Sequence, residues 1–293
     1  MRVLILGGTG MLGHQLYQSA ANSLDVFVTV RTSPELIERY GVFQPQHIVP
    51  GVDALEFSTV EQAITNVRPD AVVNCIGIVK QHALAKDAVA CIAVNSLFPH
   101  RLNDLCRERG SRLIHISTDC VFDGRKGNYS ESDCSNATDL YGKSKALGEP
   151  TDAPALTIRT SIIGRELSNN TGLVEWFLSK RNEGVKGYTR ARFSGLTTHE
   201  LSKVIVHVLT DPPTLTGLYH VASEPIDKHD LLQKLNETYN AGVAIEPDDS
   251  VLIDRTLNGT AFGLSTGYRS PDWSTLVTEM AENDAHNDNR KEI

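Results

Sequence analysis

Residues 2–13, RVLILGGTGMLG, decide the fold of this chain. The apolar run VLIL predicts a buried strand, and the segment HQLYQSAANS that follows the glycines predicts a helix. Between them, Gly7, Gly10 and Gly13 have the spacing G-x-x-G-x-x-G, with Gly8 as an additional glycine. In a turn between a strand and a helix, such glycines let backbone N–H groups and the helix N-terminus approach a pyrophosphate. The stretch therefore predicts a dinucleotide-binding turn.

Apolar strand segments alternate with longer helical segments over the first two thirds of the chain. The predicted strands, among them DVFVTV, DAVVNCIGIV and RLIHIS, are continuous apolar runs, which is typical of a parallel sheet covered on both faces. Repeated strand–helix units predict an α/β fold with a doubly wound parallel sheet (Rossmann) and a smaller, mixed C-terminal lobe. The predicted parts are a dinucleotide-binding domain over 1–164 that returns around 199–222, a substrate-binding lobe over 165–198 and 223–281, and a disordered tail over 282–293.

The composition argues against several classes of partner and site. A net charge of −8 offers no basic face for nucleic acid or for an anionic membrane. No stretch approaches the roughly 18 apolar residues of a transmembrane helix, and the N-terminus shows no charged-then-apolar leader. The five cysteines are scattered and odd in number, which indicates reduced thiols in a cytoplasmic protein. The ten histidines lack ligand spacing, so we predict no metal site.

The end of the second predicted strand bears on the choice of cofactor. A free ribose 2′-OH is usually bound by an Asp or Glu about 20 residues past the glycines, but this chain has Arg31 in VTVRTS. A guanidinium suits a 2′-phosphate, so we predict NADPH, with NADH possible if Arg31 is a solvated loop residue. The residues predicted to contact the cofactor are Gly7, Thr9, Gly10, Met11, Leu12, Gly13, Arg31, Asp53, Cys75, Ile76, Gly77, Asn95, Tyr141 and Lys145.

A second chemical signal is DLYGKSKALGE, residues 139–149, which has Tyr141 and Lys145 four positions apart in a predicted helix. GKS also ends a phosphate-binding P-loop, but Ala137 stands where that motif needs a glycine, and no strand precedes it. A nucleophile elbow needs a second glycine where this chain has Ala146. Residues four apart share a helix face, so the phenol and the ammonium can act on one substrate, although Tyr-x-x-x-Lys also arises by chance.

The expected role of Tyr141 is proton donation to a carbonyl oxygen as a hydride reaches the carbon. A free tyrosine has a pKa of about 10, and Lys145 with the positive nicotinamide of an oxidised cofactor is expected to lower it. The strand segment RLIHISTD, residues 112–119, ends in Ser117, Thr118 and Asp119, at the edge where doubly wound sheets bind ligands. A hydroxyl there can stabilise negative charge on the same oxygen.

Taken together, GGTGMLG, STDCVFDG and YGKSK resemble the extended short-chain dehydrogenase/reductase superfamily, and within it the dTDP-4-dehydrorhamnose reductase branch. IRTSIIG, FSGLTTHEL and GYRSPDW are similar to that branch too, so the resemblance covers nearly the whole chain. It implies NADPH-dependent reduction of a 4-keto group on a nucleotide-activated 6-deoxysugar, in polysaccharide biosynthesis. By motif, Tyr141 is the acid, Lys145 its tuner and ribose ligand, and Thr118 the carbonyl donor. Asn95 matches a helix asparagine found near such sites.

Three segments depart from the pattern of that branch. Cys120 stands where the branch usually has an aromatic residue, NCIGIVKQ replaces an N-A-A segment that begins at Asn74, and FSGLTT differs from G-x-P-T. Because these segments are expected around the substrate, the sugar and the base of the nucleotide stay open.

The smaller lobe is expected to hold the nucleotide. Trp176 could stack on a base, although helix aromatics are more often core. Arg192 is the preferred ligand of a substrate diphosphate and Arg255 a second candidate, with a solvated basic loop as the alternative. The residues predicted to bind the substrate are Ser117, Thr118, Asp119, Trp176, Arg192 and Arg255.

Two other functions are compatible with the motifs. A regulatory subunit that keeps the nucleotide fold has no need of a proton donor, so the Thr118, Tyr141 and Lys145 set favours an enzyme. An epimerase or dehydratase would return the hydride, but dehydratases resemble a pattern with Asp-Glu after the strand-end Thr, and here Asp119 precedes Cys120. The sequence does not distinguish a monomer from a homodimer.

Overall fold

The computed structural model of this protein describes residues 1–168, 171–211 and 215–291, with side chains through residue 284. The first half of the chain forms β1 (Arg2–Leu6), α1 (Met11–Ala20), β2 (Asp25–Thr29), α2 (Pro34–Glu38), β3 (Ile48–Val49), α3 (Phe57–Val67) and β4 (Ala71–Asn74). It continues with α4 (Ala88–Cys91), a π-helical segment (Ile92–Leu97), α5 (Phe98–Arg109), β5 (Arg112–Thr118), α6 (Leu140–Leu147) and β6 (Ala155–Thr160).

The second half is built from shorter elements. In chain order they are β7 (Ile162–Ile163), α7 (Leu173–Leu178), β8 (Gly184–Tyr188), β9 (Ala191–Phe193), β10 (Leu196–Thr197), α8 (Thr198–Thr210), β11 (Gly217–His220), β12 (Ile226–Asp227), α9 (Lys228–Thr238), β13 (Ala244–Asp248), β14 (Ile253–Asp254), α10 (Thr260–Thr266) and α11 (Trp273–Lys291).

Within the described residues, seven strands form one parallel sheet in the order β11-β6-β5-β4-β1-β2-β3. The predicted doubly wound α/β class is confirmed. The chain reverses its direction of travel across the sheet between β1 and β4, which is where such sheets bind ligands. β11 pairs with β6 and lies inside the segment 199–222 that was predicted to return to the sheet.

The two faces of the sheet are buried in separate hydrophobic cores. On β1, Val3 and Ile5 point into one core with α1 and α8, whereas Leu4 and Leu6 point into the other with α3 and α5. Successive side chains on a strand point to opposite faces, so a strand covered on both sides must be apolar throughout. This double burial explains the continuous apolar runs.

The smaller lobe contains short mixed sheets. β9 pairs antiparallel with β12 and parallel with β14, and β8 pairs in parallel with β13. The loop after β5 docks on this lobe, because the Tyr129 N–H donates to the Thr256 carbonyl at 2.9 Å and the Asp254 N–H donates to the Gly124 carbonyl at 2.7 Å. Both lobes therefore contribute to the end of β5.

The last helix differs from the expected disordered tail. α11 continues to Lys291, and residues 292–293 lie outside the described part. Its polar residues still find partners, since Asn283 donates to the Gln15 side chain at 2.9 Å and Tyr239 donates to Asp284. Hydrogen bonds to the sheet domain and to α9 replace the apolar burial that this segment lacks. None of the helices in the described part of the chain combines the length and apolar character needed to cross a bilayer.

Candidate active site

The glycine turn between β1 and α1 is shaped to accept an anion. Gly7 has a φ of +83°, and a Cβ on Gly13 would lie 2.2 Å from the Gly7 carbonyl oxygen, so a larger residue would push α1 away from β1. The Gly10 N–H donates to the Gly7 carbonyl at 3.1 Å. No side chain caps α1, so the N–H groups of its first turn, from Met11 and Leu12 onward, are available to a phosphate. These residues fit the predicted dinucleotide.

The segment after β4 lies beside this turn. The Cys75 N–H donates to the Leu6 carbonyl at 3.1 Å, and a Cβ on Gly7 would lie 3.0 Å from Ile76 Cγ1. Burial raises the pKa of Cys75 to about 12, so its thiol stays protonated. Gly77 follows and is exposed. The sheet thus brings this predicted cofactor segment against the glycine turn.

Arg31 and Asp53 lie at the ends of the neighbouring strands. Arg31 is exposed beyond β2, and among the described residues it forms no hydrogen bond or ion pair. Asp53 follows β3, and its carboxylate accepts a hydrogen bond from the Leu55 N–H at 2.9 Å. The free guanidinium is compatible with a 2′-phosphate, whereas the Asp53 carboxylate already closes a turn.

Asn95 is buried in the π-helical segment, and its amide is bonded on both sides. Its Oδ1 accepts from the Ile78 N–H at 2.8 Å, and its Nδ2 donates to the Ile78 carbonyl at 3.0 Å and to Ser144 Oγ at 3.1 Å. Ser144 in turn donates to the Tyr141 carbonyl at 3.0 Å. Asn95 was predicted to contact the cofactor, but these bonds indicate a different role. It fastens the loop after β4 to the helix that carries Tyr141.

Thr118 ends β5 and lies next to Tyr141 of α6. Its hydroxyl donates to Asp119 Oδ1 at 3.2 Å and accepts from the Cys120 N–H at 3.1 Å. The approach of α6 depends on Gly142, because a Cβ there would lie 2.2 Å from the Cys120 carbonyl oxygen. The close approach of α6 to the strand-end turn thus sets Tyr141 near Thr118, and their joint action on one carbonyl stays a prediction.

The surroundings of Tyr141 in the protein alone favour the protonated phenol, and the lowering of its pKa expected from Lys145 and a bound oxidised cofactor stays a prediction. Burial raises the pKa of Tyr141 above its ordinary value, with Cys120 and Asp119 adding to the rise, and a hydrogen bond with Thr118 only partly opposes it. The protein groups alone thus keep the phenol protonated at neutral pH. The physical cause is the removal of water from the phenolate, which disfavours the charged form.

Lys145 is buried below Tyr141 on the same helix. Its Nζ donates to the Ile116 carbonyl at 2.8 Å. Burial lowers the pKa of Lys145 to about 8, although Glu149 and Cys75 favour the charged form. Lys145 thus connects α6, which carries Tyr141, to the end of β5, and it lies near Cys75 of the predicted cofactor segment.

A buried ion pair supports this lysine. Glu149, one turn after Lys145, accepts hydrogen bonds from Arg159 Nε at 2.8 Å and Arg159 Nη2 at 2.7 Å. Ser117 donates to the same carboxylate at 2.5 Å. Ser117 was predicted to bind the substrate, but its hydroxyl points into this internal network. In this structure the Ser117 hydroxyl is thus engaged by Glu149, and its contact with a substrate stays a prediction.

The substrate side of Thr118 is charged. Burial raises the pKa of Asp119, while the positive charges of Arg255 and Lys228 oppose the rise. Arg255 Nε donates to the Phe122 carbonyl at 2.9 Å, which keeps this guanidinium near the strand end. Of the predicted substrate residues, Asp119 and Arg255 thus lie beside Thr118.

Two other predicted substrate residues are not brought to this point by any described contact. Arg192 has an exposed side chain and pairs with Asp254 at 3.6 Å. Trp176 is 38% exposed on α7, so it is not the core residue that helix aromatics usually are. Both remain predictions.

A match to a known protein family shows where the chain belongs. The RmlD substrate binding domain family matches residues 1–286. The chain belongs to that family.

Its named relatives include two kinds of protein. A dTDP-4-dehydrorhamnose reductase of Aggregatibacter actinomycetemcomitans is 26% identical, over 76% of this chain and 74% of that protein. Methionine adenosyltransferase 2 subunit beta of Danio rerio is 27% identical, over 82% of this chain and 74% of that protein.

The family fold is also seen in solved structures. A dTDP-4-dehydrorhamnose reductase from Bacillus anthracis str. Ames in complex with NADP superposes with a TM-score of 0.75. The two chains are 20% identical, and the alignment covers 96% of this chain and 99% of the other. At that identity the likeness establishes the fold.

Two of the segments that depart from the pattern expected of the dTDP-4-dehydrorhamnose reductase branch lie beside Tyr141. Cys120, at an expected aromatic position, acts on the pKa of Tyr141. Lys80, in the divergent NCIGIVKQ segment, has its Nζ 5.7 Å from the centre of the Tyr141 ring and pairs with Asp139 at 3.0 Å. The segments that contain Cys120 and Lys80 thus both lie beside the Tyr141 phenol.

Sequence reasoning missed Lys80, Glu149 and Lys228. Glu149 had a signal, because a carboxylate four residues after Lys145 would share its face if the predicted helix continued, although α6 ends at Leu147. Lys228 had none, since tertiary packing alone brings α9 to the end of β5.

A possible metal cluster was also not predicted. Asp227, His229 and Asp230 have ligand atoms within 4.8 Å of one another at the start of α9. Asp227 caps the helix through the Asp230 N–H at 2.9 Å. Because these groups satisfy helix and neighbour contacts in a partly exposed position, they carry no metal-site proposal.

Proposed function

We propose that this protein is an NADPH-dependent reductase of a nucleotide-activated 4-keto-6-deoxysugar. The observation that carries the proposal is the close packing of α6 on the turn after β5 through Gly142, which sets Tyr141 near Thr118 and lets Lys145 donate to the Ile116 carbonyl of β5. The cofactor preference is supported by the unpaired Arg31 guanidinium and by the NADP complex of a relative in fold. The names of the reductase relatives support the substrate class.

In the proposed reaction, Tyr141 is the general acid. The bound cofactor would supply the hydride to the carbonyl carbon. Tyr141 donates its proton to the carbonyl oxygen, and its raised pKa ensures that this proton is present at neutral pH. The Thr118 hydroxyl rotates from Asp119 to donate to the same oxygen and stabilises its developing negative charge.

Lys145 has two proposed tasks. Its ammonium would hold the ribose hydroxyls of the cofactor, and its positive charge would favour the phenolate that remains after proton transfer. Cys75 lies close enough to affect the pKa of Lys145, and the segment after β4 contacts the glycine turn. A continuous set of contacts thus joins the proposed phosphate, ribose and carbonyl positions.

The nucleotide end of the substrate is assigned to the smaller lobe. Arg255 is the preferred diphosphate ligand, because its guanidinium is fixed near the strand end by the Phe122 carbonyl. Arg192 and Trp176 are secondary candidates. The base, the sugar stereochemistry, the cytoplasmic location and a monomeric or homodimeric state stay predictions.

The test is NADPH oxidation with a panel of dTDP- and UDP-4-keto-6-deoxyhexoses. We expect turnover of one panel member, and a loss of about 10²–10⁴-fold in kcat for Tyr141→Phe with unchanged NADPH binding. Tyr188→Phe, which changes an exposed tyrosine on β8, is the matched control. Equal kcat for wild type and Tyr141→Phe would exclude Tyr141 as the acid.

A second candidate function is that of a regulatory subunit. It is favoured by the similarity to the beta subunit of methionine adenosyltransferase 2. Binding of NADPH without turnover of any panel member would favour it, and copurification with a partner enzyme would be the next measurement. The retained Thr118, Tyr141 and Lys145 set makes the reductase the preferred function.

A further inference from the structure

Lys228 brings an ammonium group from the smaller lobe to the end of β5. It is the first residue of α9 and follows β12, whose Ile226 pairs with Phe193 of β9. This pairing places the Lys228 Nζ 3.8 Å from the centre of the Phe193 ring. The ammonium is therefore held by the backbone geometry of a sheet and by a cation–π contact.

The same ammonium lies near the residues that follow Thr118, because β9 also pairs with β14. Arg255, just after β14, donates its N–H to the Arg192 carbonyl at 3.1 Å and its Nε to the Phe122 carbonyl at 2.9 Å. Its positive charge acts on the pKa of Asp119, and the charges of Asp119 and Cys120 act on the pKa of Lys228 in return. Asp119 and Cys120 also act on the pKa of Tyr141. Lys228 thus lies beside the residues that border the reacting carbonyl.

The ammonium lacks a hydrogen-bond acceptor of its own. Within the part of the chain that the structure describes, no carboxylate pairs with the Lys228 Nζ and no hydrogen bond from it is formed. Burial lowers the pKa of Lys228 to about 8, because removal of water from the ammonium disfavours its charged form. A partly buried ammonium whose described side-chain contact is the face of the Phe193 ring can donate hydrogen bonds to oxygen acceptors of a ligand.

We propose that Lys228 is a substrate-binding residue that donates hydrogen bonds to an oxygen of the sugar ring substituents, beside the carbonyl that is reduced. This inference rests on the proposed reductase function and adds a determinant of sugar specificity on α9. Lys228 is assigned to the hexose because Asp119 and Cys120, whose charges act on it, directly follow Thr118, whereas Arg255 is held at the Phe122 carbonyl further along the turn.

The test compares the binding of a nucleotide sugar with that of the nucleotide alone. Isothermal titration calorimetry of the NADPH-loaded protein would use dTDP-glucose and dTDP, and UDP-glucose and UDP, as probes. Lys228→Met is expected to weaken binding of the sugar-bearing probe by about 10- to 100-fold and to leave the sugar-free probe within about 2-fold. Lys228→Arg should retain most of the affinity.

Lys234→Met is the matched control, because Lys234 is on the same helix and donates to Ser274 at 2.8 Å. Lys228→Gln provides a second uncharged variant if Lys228→Met fails to fold. Equal loss for both probes would assign Lys228 to the diphosphate, and no loss would exclude it from the site. Either result would overturn the hexose contact.

Wild-type turnover separates this inference from the proposed function. If the wild type reduces a 4-keto sugar nucleotide and Lys228→Met has the same KM, the inference is wrong and the function stands. If the wild type neither binds nor reduces any sugar nucleotide, the function fails and the inference fails with it. A raised KM with nearly unchanged kcat is the supporting result.

Discussion

Gly142 packs so closely on the strand-end turn that a Cβ at this position would lie 2.2 Å from the Cys120 carbonyl oxygen. The same Cβ would lie 2.4 Å from the Ala137 Cβ. Neither neighbour is the end of a flexible side chain, so α6 would have to move. Since α6 carries Tyr141 and Lys145, the separation of the phenol from Thr118 depends on this glycine.

Gly142→Ala is therefore expected to lower kcat by 10-fold or more, because a shift of about 1 Å can cost about 10²-fold in rate. It should also cost about 1–3 kcal/mol of stability, as overpacking does, despite the higher helix propensity of alanine. Steady-state kinetics and urea unfolding measure both effects. Gly184→Ala is the control, because a Cβ at this position would lie 3.9 Å from the Ala244 carbonyl oxygen, which is ordinary van der Waals contact. Wild-type kcat in Gly142→Ala would contradict the packing explanation.

Lys145→Met is expected to abolish activity and to stabilise the fold at neutral pH. Burial lowers the pKa of Lys145 from 10.5 to about 8, so between these values the unfolded chain binds more protons, and wild-type stability rises with pH. At pH 7 Lys145 is protonated in both the folded and the unfolded chain. The folded state therefore carries the full cost of burying this charge, on the order of 3 kcal/mol. The stabilisation by Lys145→Met should be roughly 1–3 kcal/mol at pH 7 and shrink from pH 8 to 10. Urea unfolding over this pH range measures it; a gain that grows with pH would contradict it.

Replacing only one residue of the buried Glu149–Arg159 pair is expected to destabilise the fold. Both side chains are nearly inaccessible, at 6% and 7% exposure, so Glu149→Gln leaves an uncompensated guanidinium and should lose about 3–5 kcal/mol. Glu149→Met combined with Arg159→Met removes both charges and should recover much of that loss. Equilibrium denaturation of the three variants measures the coupling.

The exposed Lys180–Glu183 pair provides the comparison. Glu183→Gln should change stability by less than about 1 kcal/mol, because solvent screens this pair. A similar cost for Glu149→Gln and Glu183→Gln would mean that the buried network contributes little.

Arg31→Ala is expected to weaken NADPH binding by about 10- to 100-fold while NADH binding changes little, because only NADPH offers the 2′-phosphate. Cofactor fluorescence titration measures both affinities. Arg39→Ala removes another exposed arginine, one that packs on Tyr40, and should change neither affinity. An equal loss for both cofactors would show that Arg31 does not discriminate between them.

The local chemistry of the sequence was enough to predict much of the fold. Continuous apolar runs gave the strands because a doubly covered parallel sheet admits few polar residues. The glycine spacing gave the β1–α1 turn because Gly13 must pack against the Gly7 carbonyl. The end of the chain was mispredicted, since hydrogen bonds such as that of Asn283 to Gln15 are not visible in local composition.

The sequence by itself determined which groups the site contains: the cradle glycines, the Thr118 hydroxyl, and the Tyr141 and Lys145 pair on one helix face. The tertiary structure alone decided the pKa values of these groups and which residues lie next to them. It turned Ser117 inward to Glu149, raised the pKa of Tyr141 by burial, and brought Lys228 to Asp119. The physical reason is that spacing along a strand or helix fixes which residues share a face, whereas desolvation and charge depend on residues distant in the chain.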